Sequence, residues 1–179
     1  MRSLEQVLKD GIRDIPDYPQ PGVVFKDITP LLADHGGFAQ VVEVLADSGR
    51  DDDGRPVVDK VVGIEARGFI LAAPVALSLG AGFVPVRKKG KLPAATYEES
   101  YALEYGEATI EVHQDAFTPG ERVLVIDDVL ATGGTVEACL RLIRRCGAEV
   151  VSTTVLIELS FLPGRERLSE EQVTALVTV

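Results

Sequence analysis

A chain of 179 residues can build one well-buried core and is short for two full domains. With 46% hydrophobic and 26% charged residues, it has the make-up of an ordinary soluble globular protein. Its net charge of −10 argues against general binding to nucleic acid or to an anionic membrane.

No apolar run approaches the roughly 20 residues of a membrane span, and the first six residues form no apolar signal core. Residues 3–12 read as a short amphipathic helix with Leu4, Val7 and Leu8 on one side, Ser3 as its cap and Gly11 as its stop. Residues 14–22 hold Pro16, Pro19 and Pro21, so the chain there is extended or turning. The brief run Val23-Val24-Phe25 follows. Phe25 fits a core position, and a proline-framed aromatic segment also suits a hood over a flat ligand. Residues 38–45 repeat apolar side chains at helical spacing. Asp51-Asp52-Asp53 reads as a surface loop, because no flanking ligands at useful spacing support a metal site.

Val61-Val62-Gly63-Ile64 is the first buried strand, and it ends at Glu65-Ala66-Arg67-Gly68 before an apolar helix over 69–79. Residues 82–87 form the next strand. They end in Arg87, Lys88, Lys89 and Lys91, a basic cluster that on an acidic chain suits an anionic small substrate. Residues 88–106 read as a long irregular stretch, of the kind that is usually functional. Residues 107–113 alternate as a strand, with Ala108, Ile110 and Val112 on one side. Residues 149–159 and 173–179 complete the β-rich pattern. Alternating strands and helices predict an α/β fold with a doubly wound, mainly parallel twisted sheet, a single domain over 1–179. Ligands in such sheets bind at the carboxyl ends of the strands. Cys139 and Cys146 lie on one helix too far apart for a bridge, which suits buried thiols in a reducing compartment.

The densest signal is Val123 to Thr135, Val-Leu-Val-Ile-Asp-Asp-Val-Leu-Ala-Thr-Gly-Gly-Thr. Four branched apolar residues make a strand buried on both faces. Asp127 and Asp128 are expected at its end, followed by a small-residue loop and a helix with Val136, Leu140 and Ile143 on its inner face. Backbone N–H groups and the helix dipole favour a phosphate at such a loop. The carboxylates cannot bind that phosphate. They are placed to accept hydrogen bonds from sugar hydroxyls or to hold a hydrated metal. Neither the dinucleotide fingerprint Gly-x-Gly-x-x-Gly after a strand nor the P-loop Gly-x-x-x-x-Gly-Lys-Ser/Thr is present.

This motif resembles the 5-phosphoribosyl-1-pyrophosphate motif of the type I phosphoribosyltransferases. Nearly the whole chain is similar to the adenine-specific branch, through Tyr18-Pro19, the run from Pro21 to Ile28, Glu65-Ala66-Arg67-Gly68-Phe69, the run from Arg87 to Pro93, and the run from Tyr101 to Gly106. The resemblance implies transfer of the phosphoribosyl group to adenine N9 with Mg²⁺, giving AMP and pyrophosphate in a cytoplasmic homodimer. It implies a hood near 14–30 and a lid near 88–106. Ala131, Thr132, Gly133, Gly134 and Thr135 would cradle the 5′-phosphate. Asp127 and Asp128 would face the ribose hydroxyls and order the metal through water, with no direct ligand. Arg67 would meet pyrophosphate, following a cis peptide at Ala66–Arg67, with Arg87 and Lys88 adding positive charge. Val24, Phe25, Lys26 and Leu130 would line the adenine site. Lys26 stands where relatives commonly carry Arg, and cannot make the same planar contact.

Glu104 in the lid would serve adenine N7. Ala131 stands where the hypoxanthine–guanine relatives carry an Asp, and this passes the acid's role to Glu104. Two other readings share the scaffold: a phosphoribosyltransferase for another purine such as xanthine, and a non-catalytic phosphoribosyl-pyrophosphate sensor. The acidic charge and the lack of a spare DNA-binding segment weigh against the sensor.

Overall fold

Runs of β-branched residues dictate the centre of the molecule. The structure is a computed structural model that describes residues 2–103 and 106–179. The chain divides into two compact units, Met1–Val44 and Leu45–Val179.

In the first unit, α1 (Leu4–Gly11) starts at Ser3, whose hydroxyl accepts from the Gln6 N–H at 3.2 Å. This satisfies one of the helix's orphan donors. Val7 and Leu8 are buried. Gly11 is the last residue of α1, where the sequence suggested a stop. It is required for packing, since a Cβ there would lie 2.8 Å from the Leu31 Cβ. β1 (Arg13–Pro16) and β2 (Val24–Asp27) form an antiparallel hairpin in which Ile15 faces Phe25. Asp27 accepts from the Thr29 N–H at 2.9 Å at the start of α2 (Thr29–Ala33). That N–H, with the Arg13 and Thr29 side chains, lowers the Asp27 carboxyl to about 2. The helix α3 (His35–Asp47) spans the boundary of the units.

The second unit is built on a seven-stranded sheet. Its elements are β3 (Lys60–Ile64), α4 (Arg67–Leu79), β4 (Gly82–Lys88), β5 (Thr96–Ala102), β6 (Glu107–His113), β7 (Arg122–Leu130), α5 (Gly134–Arg145), β8 (Glu149–Glu158), α6 (Gly164–Arg167) and β9 (Val173–Thr178). The strand order is β5-β6-β4-β3-β7-β8-β9. β4, β3, β7, β8 and β9 run parallel, while β6 is antiparallel to both of its neighbours.

Alternation sends successive residues to opposite faces. Val62, Ile64, Val123 and Val125 therefore pack with Val136, Leu140 and Ile143 of α5 in one core. Each such buried side chain contributes about 2 kcal/mol of transfer free energy. On the other face Gly63 lets α4 approach, since a Cβ there would stand 2.8 Å from the Ala72 Cβ. α4 begins at Arg67, two residues earlier than its apolar run suggests, and ends on Gly80 with φ +65°, a left-handed cap.

The stretch 88–106 is not irregular throughout, as the sequence suggested. β5 occupies Thr96–Ala102 and pairs along its length with β6. Its charged and aromatic residues hide the alternation. Glu98 pairs with Lys89 at 2.7 Å and Glu99 with Arg141 at 2.7 Å, which gives these two acids a structural purpose.

Candidate functional site

Sheet register gathers the site. Ile64 pairs with Val86, and Gly63 pairs with Ile126. The next residues, Glu65, Arg87 and Asp127, therefore emerge side by side at the carboxyl edge, where open α/β sheets bind ligands. Asp127 and Asp128 lie inside β7 and not at its end, because β8 continues beside them and pairs through Leu130↔Glu158.

Asp127 and Asp128 are 9% and 6% exposed. Burial, and then the charge of Asp128, push the Asp127 carboxyl well above the usual carboxylate range, while the Asp128 N–H donates to it at 2.9 Å. Ala131 to Thr135 then turn the chain into α5. Gly133 adopts φ +79°, which favours glycine, and α5 starts without a side-chain cap. Its first N–H groups are thus available to an anion. A small cleft is lined by Asp127, Leu130, Ala131, Thr132, Gly133 and Thr135. Thr132 is exposed, and the Thr135 hydroxyl donates to the Tyr101 hydroxyl at 3.0 Å. Leu130 is buried, with its side chain in the core. Cys139 on α5 is also buried, which pushes its thiol up and leaves it unreactive.

The turn after β3 meets this acidic pair directly. Arg67 donates through Nε to Asp128. A Cβ on Gly68 would come within 2.8 Å of the Asp127 Oδ1, so only glycine lets the turn approach so closely. The cis peptide in this turn is Glu65–Ala66, one bond earlier than the expected Ala66–Arg67. Glu65 accepts from the Arg87 Nε at 3.2 Å and from the Lys88 N–H at 3.0 Å, binding the first turn to the basic one.

Two carboxylates escaped the sequence reading. Glu65 was noted only as part of the turn. Glu111, between Ile110 and Val112, falls on the strand face that alternation assigns to solvent, yet it is 3% exposed. It accepts the N–H groups of Lys91 and Leu92 at 2.9 and 2.8 Å. Burial alone would raise its carboxyl, but the Leu92, Gly90 and Lys91 N–H groups outweigh that and hold it low. The basic turn folds back to supply these N–H groups, and no local pattern announces that.

Val24, Phe25 and Lys26 lie on β2 of the first unit. Phe25 meets Tyr18 edge-to-face at 5.2 Å, and the Lys26 Nζ pairs with Asp14 at 2.7 Å. Glu104 lies outside the described residues.

Residues 31–175 match the family model described as the phosphoribosyl transferase domain. A relative from Nocardioides sp., an adenine phosphoribosyltransferase, is 66% identical over 94% of this chain and 91% of its own length. The chain belongs to the adenine phosphoribosyltransferase family. The Acidothermus cellulolyticus member is likewise 66% identical, over 94% of this chain and 93% of its own. Among solved members of the family, the Rhodothermus marinus structure is 52% identical, with a TM-score of 0.90 over 98% of both chains. The Saccharomyces cerevisiae structure, complexed with adenine and D-2,5-dideoxy-2,5-imino-altritol 1,6-bisphosphate, is 34% identical with a TM-score of 0.92 over 99% of this chain and 100% of its own.

Proposed function

We propose that the chain transfers the 5-phosphoribosyl group of 5-phosphoribosyl 1-pyrophosphate to N9 of adenine, giving AMP and pyrophosphate for purine salvage. One observation carries the reading: a buried carboxylate and an uncapped helix N-terminus line the same cleft. Such a cleft accepts a phosphate at one end and donates nothing to it at the other, which suits a ribose 5-phosphate unit.

Ala131 to Thr135 hold the 5′-phosphate through backbone N–H groups and the two threonine hydroxyls. Asp127 and Asp128 accept from the ribose 2′- and 3′-hydroxyls. Arg67 meets the pyrophosphate, with Arg87 and Lys88 behind it. As the leaving group departs, the ribose becomes oxocarbenium-like, and cations placed in advance stabilise the charge gathering on pyrophosphate. Water must be kept out, since it would hydrolyse the same centre. Val24, Phe25 and Lys26 are assigned to adenine, and Glu104 accepts from N7 as the base becomes nucleophilic.

The described residues fit Mg²⁺ held through water. They contain no cluster of three or more His, Cys, Asp or Glu able to hold a metal, but the adjacent Asp127 and Asp128 place two carboxyl groups side by side at the carboxyl edge. Mg²⁺ keeps several of its waters and binds through one or two carboxylates and phosphates. When bound, it supplies further charge neutralisation to the pyrophosphate. The working form is a homodimer in the cytoplasm. Two free cysteines suit such a reducing compartment, and no helix among the described residues is long and apolar enough to cross a membrane.

The test is AMP formation by purified protein with Mg²⁺, phosphoribosyl pyrophosphate and each purine in turn. Adenine is consumed much faster than hypoxanthine, guanine or xanthine. Absence of AMP overturns the proposal, and preference for another base reassigns the substrate.

A further inference from the structure

From the backbone packing behind the phosphate loop, we infer that Gly164 is a positioning residue for 5-phosphoribosyl pyrophosphate, buttressing the loop from behind. The inference rests on the phosphoribosyl transfer proposed above. Gly164 opens α6 and is buried. A Cβ on it would fall 2.3 Å from the Ala131 carbonyl oxygen and 3.0 Å from Leu130. The first distance is far inside any carbon–oxygen contact, and a backbone carbonyl cannot rotate aside as a side chain can. From the other direction, a Cβ on Gly133 would lie 3.1 Å from both the Gly164 Cα and its carbonyl oxygen. The two glycines thus bring two backbones together without side chains between them. Gly164 itself has no left-handed φ, so an alanine there carries a steric cost and no conformational one.

The buttress is anchored to the sheet. Arg165 donates through Nε to Glu158 Oε1 at 2.9 Å, through Nη2 to the other Glu158 oxygen, and through Nη1 to the Val173 carbonyl. This clamps the short helix to β8 and β9. Leu168 at its end is 2% exposed in the core that holds Leu130, Val136 and Leu140. Displacement forced by a side chain at 164 therefore falls on Ala131 to Gly133, the donors of the phosphate cradle, and not on α6.

The experiment compares Gly164→Ala with wild type in two readouts, steady-state kinetics and calorimetric binding of ribose 5-phosphate. The expected result is a rise of about tenfold in both the KM for phosphoribosyl pyrophosphate and the Kd for ribose 5-phosphate, with the adenine KM within about twofold of wild type. Gly49→Ala, whose Cβ would meet Leu79, Val58 and Leu124, serves as the destabilised comparison and leaves both constants unchanged. Should Gly164→Ala not fold, Arg165→Gln loosens the clamp without adding an atom at 164 and raises the ribose 5-phosphate Kd about threefold. Unchanged ribose 5-phosphate binding, or equal weakening of adenine and phosphoribosyl pyrophosphate, overturns the inference while a wild type that forms AMP keeps the proposed function. A wild type that forms no AMP defeats that function, and the binding assay still tests the buttress.

Discussion

The loop proposed to hold phosphate, residues 131–135, and the β5–β6 hairpin hold their shapes by opposite means. At the loop, backbone meets backbone through Gly133 and Gly164, and a buried carboxylate meets the turn at Gly68. At the hairpin, the outward ties are exposed ion pairs. The Lys89 and Glu98 side chains are 62% and 40% exposed, and those of Arg141 and Glu99 are 43% and 25% exposed. Arg145 also stacks on the Tyr97 ring at 5.0 Å and donates to the Glu98 carbonyl at 3.2 Å. Exposed pairs contribute about 0–1 kcal/mol each, and close packing tolerates almost no displacement. The difference is one of tolerance: the first region is fixed by close backbone packing, and the outward ion pairs of the second cost little to break.

The sharpest way to expose the fixed region is through its arginine. Arg67→Gln keeps an N–H donor at about the position of the Nε that meets Asp128 and removes the cation. The expected loss in kcat/KM is about 10³-fold, the scale of a lost transition-state charge contact. The side chain of Asp128 is 9% exposed and loses its cation, so the thermal midpoint falls as well, and the kinetics are compared at a temperature where both proteins are folded. Turnover within tenfold of wild type would remove Arg67 from the pyrophosphate role.

A second substitution shows that the hairpin is not uniformly soft. Glu111 belongs to β6, yet it is buried and holds the basic turn by two backbone N–H groups. Glu111→Gln keeps an oxygen for the Lys91 and Leu92 N–H groups, which both donate to Oε1, but removes the charge that strengthens those bonds and turns an amide N–H₂ to the side of Oε2; it costs about 1–3 kcal/mol of stability, measured by urea unfolding at neutral pH. Because the folded carboxyl is held below its ordinary value, its contribution is present above the unfolded pKa and is lost as pH falls through the folded one. The gap between wild type and variant therefore narrows on acidification. A gap that widens would assign the stabilisation to the protonated form.

How far all this could be read in advance follows the same division. Val61-Val62-Gly63-Ile64 and Val123-Leu124-Val125-Ile126 are read correctly as buried strands, because burial on both faces writes one unbroken apolar run. Carboxyl-edge placement of Arg67, Arg87 and Asp127 follows from parallel strands alone. β5 is not legible, because Tyr97, Glu98, Glu99 and Tyr101 interleave charges that only tertiary partners neutralise. Gly164 follows Pro163 and reads as a simple break. Its closeness to Ala131 is a long-range contact that no local spacing encodes. The position of the cis bond depends on one peptide's geometry and shows in no residue type.

Thr135 joins the two regions, since its hydroxyl donates to Tyr101 on β5. Thr135→Val keeps the shape and removes the hydroxyl. A lost hydrogen bond to a charged group predicts a rise of about tenfold in the KM for phosphoribosyl pyrophosphate with adenine unaffected. Tyr101→Phe separates the two partners of that hydroxyl, since it frees Thr135 for a phosphate and does not raise this KM. A tenfold rise in Tyr101→Phe as well would make the Thr135–Tyr101 bond, and not the phosphate contact, the source of the effect.

The smallest expected effect decides whether the contrast itself is sound. A double-mutant cycle on Glu99→Gln and Arg141→Gln isolates the tie between β5 and α5. Arg141 also reaches Glu137 at 3.3 Å, one turn earlier on α5, so losing Glu99 leaves it a second acid. The coupling is therefore about 0.5 kcal/mol or less at low ionic strength and shrinks further in about 1 M salt, where the screening length drops to ~3 Å. A coupling of about 2 kcal/mol that survived salt would mean that the hairpin is as fixed as the phosphate loop.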